Sequence, residues 1–298
     1  MRYTSFSFIF YLILPLCITQ YLSPEESISL KYVTDKTAIP FYVSAVHYDW
    51  CLNHEGQQVQ EFSDILVKKK NECFVVDVGM NDGFYTNMAG AYGCQVYSFE
   101  LQRRCIEASK LALRKNNALD KVNIFHNPVT SVNGEELTIQ FPVKDYCDGG
   151  FTMTGEDKAA RSHVKAPLLR SHNFTTVSLD AIIPKTLMID ILKVDVEGHE
   201  LAVLDGAMHL FRRKQIKRAF VELGNIKFYG GPDNVIRVYK EIMSYGYKLV
   251  VANCPTYYYR GVNNPEVFTI DDLDRFKTYL GYELYSQWNC PDLYIQEN

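Results

Sequence analysis

The sequence predicts an α/β protein with a doubly wound, mostly parallel sheet. From Cys73 onward, short runs rich in β-branched and aromatic residues alternate with helical patterns, which is typical of parallel strands joined by crossover helices. The first of these runs leads directly into Gly79-Met-Asn-Asp-Gly83, as expected where a buried strand approaches a ligand. The chain has 298 residues and 47% hydrophobic content, which is enough for one large domain.

Seven segments are predicted to be strands of this sheet. They are "CFVVDV", "QVYSF", "VNIFH", "ILKVDV", "AFVEL", "YKLVVA" and "DLYIQ". The helices between them are expected at about 84–92, 103–116, 200–211, 233–245 and 271–280. The clearest is 200–211, where apolar residues recur at spacings of three and four along one face.

Two regions lie outside the alternation. Residues 23–70 form an amino-terminal extension with a predicted strand near "FYVSAV" and a helix near "VQEFSDILV", and we expect it to cover an edge of the sheet. Residues 142–174 are a long polar insertion between "LTIQF" and "TTVSL". Connections of this length in a compact domain are often functional or disordered, so we expect a lid on the substrate side.

Residues 1–22 predict a signal peptide or a signal anchor. An apolar run from Phe6 to Ile18 follows Arg2, and it is shorter than the roughly 20 residues that span a bilayer. The expected location is the secretory pathway, either the ER or Golgi lumen or the exterior, with possible membrane anchoring through this segment. The sequon at Asn173 agrees with this location. The alternative is a cytosolic protein with an apolar amino-terminal strand.

Eight cysteines are present, without a CxxC spacing, so a zinc ribbon is not expected. Cys73 opens a predicted strand and Cys105 lies on an apolar helix face, so both are expected to be packed thiols. In an oxidising lumen, the residues beside turns, Cys147, Cys254 and Cys290, are the better candidates for a disulfide bond.

The net charge of −4 gives no attraction to polyphosphate, so nucleic acid is not an expected partner.

The glycine-rich segment does not match the common phosphate or calcium loops. Its order departs from G-x-G-x-x-G, Gly79 stands where a calcium loop needs a ligand, and no Gly-Lys-Ser/Thr follows. It does suit a nucleoside lying across the ends of two strands. Gly79 lets the backbone approach, Asp77 can accept hydrogen bonds from the turn or from a ligand ammonium, and Glu100 can accept both hydroxyls of a ribose.

A second polar cluster follows the strand "ILKVDV". Asp195, Glu197 and Glu200 come at and just after its end, which should lie beside the glycine loop. Crowded carboxylates raise one another's pKa, so one of them can serve as a general base. For Glu200 an ordinary place in the first turn of a helix is equally expected.

The motifs "VVDVGMNDGFYT", "YSFEL", "TVSLDAII" and "LKVDVEGHELAVLDGA" together resemble the FkbM-type methyltransferases, a branch of the class I S-adenosylmethionine-dependent enzymes. The resemblance covers about residues 73–225 and places a methyltransferase domain at 71–298. It implies a seven-stranded sheet with the last strand antiparallel, and methyl transfer, usually to a hydroxyl oxygen. It also implies cofactor contacts from Asp77, Gly79, Asn81 and Gly83 at the methionine end, from Glu100 at the ribose, and from His126 and Asn127 near the adenine.

The segment "FVELGN" departs from the family pattern, because Gly224 and Asn225 follow Glu222 where a histidine is common. We expect metal-free catalysis by Asp195 as base, with Glu197 positioning the acceptor and Glu222 as a third carboxylate. The alternative is a magnesium site formed by Asp195, Glu222 and Asn225, since all three offer hard oxygen ligands.

The expected function is S-adenosylmethionine-dependent O-methylation of a sugar, a glycan or another hydroxyl-bearing small molecule. Two other functions remain open at this point. One is a nicotinamide-dependent sugar epimerase or dehydrogenase, which the glycine order disfavours. The other is a secreted binding protein that keeps the fold without turnover.

Overall fold

The structure is a computed structural model that describes residues 28–46, 48–69, 72–142, 147, 169–223, 226–251, 266–283 and 292–297. The predicted signal segment, 1–22, lies outside these residues. The strands, numbered β1 to β12 in chain order, are Leu30–Val33, Phe41–Ser44, Phe74–Val78, Gln95–Phe99, Val122–Phe125, Glu136–Pro142, Leu169–Thr175, Ile191–Val194, Arg218–Glu222, Tyr247–Val251, Glu266–Phe268 and Asp292–Glu297. The helices, numbered α1 to α9, are Tyr48–His54, Gly56–Lys69, Phe84–Ala91, Arg103–Lys115, Leu179–Ile182, Glu200–Asp205, Met208–Arg212, Pro232–Ser244 and Leu273–Glu283.

The central sheet has eight strands among the described residues, in the order β11-β10-β12-β9-β8-β3-β4-β5. The five strands from β9 to β5 run parallel. Strand β12 is antiparallel to both β9 and β10. The prediction of seven strands was wrong by one, because the short strand β11 pairs with β10 and forms an additional antiparallel edge. This strand has three residues and gives too short a pattern to predict from sequence.

Helices cover both faces of the sheet, which explains why its central strands β3 and β8 are buried along their whole length. All five residues of β3 are buried, and they alternate between two hydrophobic clusters. Val76 and Val78 pack with residues of α6, α7 and α8, while Val75 packs with residues of α2 and α3. The period of two along the strand therefore divides the core into two layers.

The amino-terminal extension covers a face of the sheet, where we had expected it to cover an edge. Strands β1 and β2 pair antiparallel, and β2 contacts α3 and α4. From helix α2, Phe62 packs against Phe220 of β9 with ring centroids 5.8 Å apart. The extension is thus continuous with the second layer of the core.

The predicted helix 200–211 is two helices, α6 and α7, with a break at Gly206. A Cβ at Gly206 would lie 2.1 Å from the carbonyl oxygen of Thr130, so the chain must pass close to another backbone there. The carboxylate of Asp180 then accepts hydrogen bonds from the backbone N–H groups of His209 and Leu210, both at 2.9 Å. These bonds satisfy amides at the start of α7 and allow a new helix to begin.

The polar insertion is flanked by a two-stranded antiparallel sheet. Strand β6 pairs with β7 over its full length, from Glu136 with Thr175 to Pro142 with Leu169. Strand β7 was not predicted, and most of it falls in the segment expected to be a lid, because its sequence, "LRSHNFT", is too polar to indicate a strand. Most of the predicted lid, 143–168, lies outside the described residues apart from Cys147.

Two disulfide bonds confirm the prediction for Cys147 and correct it for Cys73 and Cys105. Cys73 pairs with Cys94, and Cys105 pairs with Cys147. Cys73 and Cys105 are as buried as packed thiols would be, so their apolar surroundings did not distinguish the two states. Cys51 is a buried free thiol. The other two predicted candidates, Cys254 and Cys290, lie outside the described residues.

Within the described part of the chain, no helix is both long and apolar enough to span a membrane.

Candidate active site

The glycine loop and the Asp195 loop meet at the point where the strand order of the sheet reverses, between β3 and β8. Ligands of doubly wound sheets bind in the crevice that forms at this position. A Cβ at Gly79 would lie 1.8 Å from the carbonyl oxygen of Asp195, and Gly79 has φ +80°. Any side chain at this position would collide with the Asp195 loop, so only glycine allows the two loops to pack in contact.

The glycine loop turns tightly against the end of β4. The backbone N–H groups of Gly79 and Met80 both donate to the carbonyl oxygen of Phe99, at 3.0 and 3.1 Å. Asn81 has φ +55°, a left-handed conformation in which asparagine is one of the better tolerated residues. Gly83, with φ +86°, precedes helix α3, and a Cβ there would lie 2.2 Å from Ser109 Oγ. The predicted residues Gly79, Asn81 and Gly83 thus lie together in one turn.

Asp77 lies beneath this turn and is 1% exposed. Its Oδ2 atom accepts a hydrogen bond from Thr86 Oγ1 at 2.7 Å, whereas its Oδ1 atom is buried without a hydrogen-bond partner. Burial raises the pKa of Asp77, and the positive charge of Lys193 opposes this effect. The position of Asp77 indicates that it organises the strand end from below. A direct bond to a ligand ammonium would need access that a 1% exposed side chain does not offer.

Glu100 fastens the turn from the next strand end. Its Oε2 atom accepts from the Asn81 N–H at 2.9 Å, and its Oε1 atom accepts from the N–H groups of Leu101 and Gln102 at 2.8 and 2.7 Å. Burial raises its pKa, and the three amides lower it. A carboxylate offers about four acceptor positions, so about one remains for a ribose hydroxyl, where the sequence had led us to expect two.

His126 and Asn127 follow β5 on the same edge of the sheet. A ring nitrogen of His126, Nε2, lies 2.8 Å from the carbonyl oxygen of Leu101, and its ring meets Phe174 edge-on at 5.2 Å. Asn127 donates through Nδ2 to the carbonyl oxygen of Thr175 at 3.0 Å. Both side chains join β5 to its neighbours, next to the turn after Glu100.

Asp195 forms an ion pair with a lysine of its own strand. Lys193 Nζ lies 2.7 Å from Asp195 Oδ2, and the side chains are 6% and 25% exposed, respectively. Asp195 is therefore reachable while Lys193 is not. The ion pair thus joins a buried cation to a carboxylate that a substrate can reach.

Lys193 contacts the site at Asp195 but was not among the residues predicted from sequence. Its ammonium lies 4.9 Å from the centre of the Tyr85 ring. Burial lowers the pKa of Lys193, but the carboxylates of Asp195, Glu55, Asp77 and Glu222 together raise it well above its ordinary value. The signal was present in the sequence, because a charged residue stands inside the otherwise apolar strand "ILKV".

Glu200 organises the loop after Asp195. It is 1% exposed, and its carboxylate accepts from the backbone N–H groups of Val196 and Gly198 at 3.0 Å and from the hydroxyl of Tyr229. Burial raises its pKa, and these hydrogen bonds oppose the effect. Glu200 thus has a role beyond the first turn of a helix, and that role is structural.

Glu197 and Glu222 lie beside Asp195 on this edge. Glu197 is half-buried and has φ +53°, which turns the chain sharply at the top of the loop. Glu222 ends β9, which neighbours β8, and its negative charge acts on Lys193. Asn225, the third member of the alternative magnesium site, lies outside the described residues. Among the described residues, no group of three or more histidine, cysteine, aspartate or glutamate side chains could hold a metal ion.

The Cys105–Cys147 disulfide lies against the glycine loop. Its two sulfur atoms are 3.3 and 3.1 Å from Asn81 Oδ1. The bridge therefore holds the insertion at Cys147 beside the residue whose N–H binds Glu100.

The two loops at the switch point form the ligand-binding edge of a doubly wound α/β sheet. A model of the methyltransferase FkbM domain matches residues 77–249, more than half of the chain. The protein belongs to the FkbM methyltransferase family. The match begins at Asp77 and leaves out the amino-terminal extension.

Two solved structures illustrate more distant similarity. The bifunctional kinase-methyltransferase WbdD is 12% identical, with 85% of this chain and 42% of that chain covered and a TM-score of 0.41. The N-terminal domain of human METTL16 in complex with SAH is 13% identical, with 61% of this chain and 59% of that chain covered and a TM-score of 0.33. The chain thus spans less than two thirds of either structure, and the family assignment rests on the FkbM domain match. The comparison with curated proteins finds no match.

Proposed function

We propose that the protein is an S-adenosylmethionine-dependent O-methyltransferase acting on a hydroxyl of a sugar, a glycan or another small molecule. The observation that carries this proposal is the contact between the glycine loop and the Asp195 loop, where a partly exposed carboxylate lies next to a buried ammonium. Such a carboxylate can remove the proton of a hydroxyl. The FkbM domain match supplies the methyl-transfer chemistry.

The residues at this edge fit the proposed cofactor. When bound, S-adenosylmethionine supplies an electrophilic methyl group on a sulfonium. Glu100 has about one acceptor position left for a ribose hydroxyl, and Gly79 presents backbone without a side chain. Asp195 would accept the proton of the acceptor, Glu197 and Glu222 would orient it, and alignment of the reactants would supply much of the rate enhancement.

Cofactor binding and methyl transfer test this proposal together. Calorimetry should show binding of S-adenosylmethionine and no comparable binding of NAD, and mass spectrometry should show methylated glycans or metabolites. Glu100→Ala should weaken cofactor binding by about ten- to a hundredfold, because a hydrogen bond to a charged group is lost. Glu107→Ala, at an exposed carboxylate of α4, is the control variant and should bind normally.

Three results would count against this assignment. Binding of NAD in place of S-adenosylmethionine would favour the epimerase or dehydrogenase alternative. Binding without any transfer would favour a non-catalytic binding protein. Unchanged affinity in Glu100→Ala, with an unchanged circular dichroism spectrum, would reject the ribose assignment alone.

We also propose that the protein works in the secretory pathway. Two disulfide bonds support this, because such bonds persist in oxidising compartments. Asn173 of the sequon is exposed on β7, which agrees with a glycan at that position. In intact microsomes the protein should resist added protease until detergent is present. Complete digestion without detergent would indicate a cytosolic enzyme.

A further inference from the structure

A series of side-chain contacts connects the amino-terminal extension with Asp195 through Tyr85 and Lys193. Tyr85, the second residue of α3, donates its hydroxyl to Glu55 Oε2 at 2.7 Å and also contacts Gln58 Oε1 at 3.2 Å. The ring of the same tyrosine faces the ammonium of Lys193 at 4.9 Å. Lys193 in turn pairs with Asp195 at 2.7 Å. A continuous series of contacts thus connects Glu55 with Asp195.

Each contact in this series strengthens the next. A hydroxyl that donates to a carboxylate makes its aromatic ring more electron-rich, and a richer ring attracts an ammonium more strongly. Lys193 is buried, so its interactions with the ring and with Asp195 are weakly screened by solvent. An ammonium fixed in this way holds the Asp195 carboxylate in one orientation.

We propose that Lys193 is the positioning residue for Asp195, and that Glu55 and Tyr85 hold Lys193 in place. The amino-terminal extension, to which Glu55 belongs, then contributes to the geometry of the reaction centre. This inference rests on the proposed methyl transfer, in which Asp195 is the base. It assigns a role to Glu55, which lies outside the residues that match the FkbM domain.

The surroundings of the pair contain several other titratable groups. Those that interact with Lys193 or Asp195 from neighbouring elements are Cys51, Glu55, Asp77, Glu200 and Glu222. Apart from the thiol of Cys51, all are carboxyl groups. Lys193 is therefore the cation that offsets them, and its removal should leave Asp195 among groups of its own charge.

Kinetics of Lys193→Met test the positioning role. We expect kcat to fall by about ten- to a hundredfold, with the affinity for S-adenosylmethionine unchanged. The KM for the acceptor should change less than kcat, because Asp195 loses its fixed orientation while the rest of the site stays unchanged. Tyr85→Phe keeps the ring but loses the bond to Glu55, so kcat should fall by about two- to tenfold. Lys193→Arg should restore part of the loss.

Lys217→Met is the matched control, because Lys217 pairs with Asp190 at the opposite end of β8. This variant should keep the wild-type kcat. An unchanged kcat in Lys193→Met, with transfer intact in the wild type, would overturn the positioning role. An unchanged kcat in both Tyr85→Phe and Glu55→Gln would overturn the role of the extension.

A readout without turnover separates this inference from the proposed function. In protein labelled with ¹⁵N-lysine, the ammonium resonance of Lys193, assigned by its loss in Lys193→Met, should shift in Glu55→Gln and in Asp195→Asn. Asp64→Asn, a change at an exposed carboxylate of α2, should leave it in place. Absence of these shifts would reject the series of contacts. Shifts without any methyl transfer in the wild type would reject the proposed function and, with it, the role of Asp195 as the base that Lys193 positions.

Discussion

An aspartate flanks each end of strand β8, and the two differ in the charges that surround them. At the amino end, Asp190 is 5% exposed and lies between two ammonium groups, those of Lys69 at 2.7 Å and Lys217 at 3.0 Å, and it accepts the N–H of Phe74. At the carboxyl end, one buried ammonium, that of Lys193, faces several carboxylates. The first end is electrostatically satisfied and should contribute to stability. The second keeps a surplus of negative charge beside an open loop, which suits proton abstraction.

The largest expected effect comes from neutralising the carboxylate at the open end. Asp195→Asn should lower turnover by about a hundredfold to ten-thousandfold, because general base catalysis contributes that much. Affinity for S-adenosylmethionine should stay nearly intact, since Glu100 and the glycine loop are unchanged. Single-turnover methyl transfer and calorimetry on the same preparation measure the two quantities.

Chelation of divalent cations distinguishes metal-free catalysis by Asp195 from the alternative magnesium site. EDTA should have little effect on the wild type if Asp195 acts as a base alone. Activity that is lost to EDTA and restored by magnesium would make Asp195, Glu222 and Asn225 metal ligands instead. Turnover that survives in Asp195→Asn would show that another residue acts as the base.

A smaller effect is expected at the closed end. Asp190→Asn keeps an acceptor for the Phe74 N–H but loses the charge facing two lysines, so the free energy of unfolding should fall by about 1 to 2 kcal/mol at neutral pH. Methyl transfer per folded molecule should be unchanged. Urea denaturation and activity measurements check the two statements, and a loss of turnover here would remove the distinction between the ends.

The pH dependence of this variant sharpens the comparison. Burial raises the pKa of Asp190, but Lys69, Lys217 and the Phe74 N–H outweigh it and lower the pKa below its ordinary value. A lowered pKa stabilises the fold above the unfolded value, about 3.9, and this stabilisation is lost as the pH falls through the folded value. The difference in stability between wild type and Asp190→Asn should therefore shrink below about pH 4.

The central strands and the edge of the sheet that carries the site could be predicted from sequence because both depend on local patterns. Runs such as Phe74–Val78 are buried on both faces, so their apolar content alone identifies them. Gly79, Glu100 and Asp195 each come directly after such a run, and the topology of a doubly wound sheet then brings them together.

What the sequence did not predict depends on contacts between distant segments. Glu55 reaches Tyr85 across 30 positions and carries no motif of its own. The partner of Cys105 is 42 positions away, and burial alone gives no pairing. The break at Gly206 follows from the backbone at Thr130, in another part of the chain. Lys193 is different, since its place inside an apolar strand was a readable signal.

The Cys73–Cys94 bridge turns the cofactor end of the molecule into a closed covalent ring. The bond joins the residue before β3 to the residue before β4, so the ring contains β3, the whole glycine loop and helix α3. A single backbone cut anywhere between the two cysteines therefore releases no fragment. The two pieces stay attached, held in register by the strands on either side, and separate on a gel only after the disulfide has been reduced.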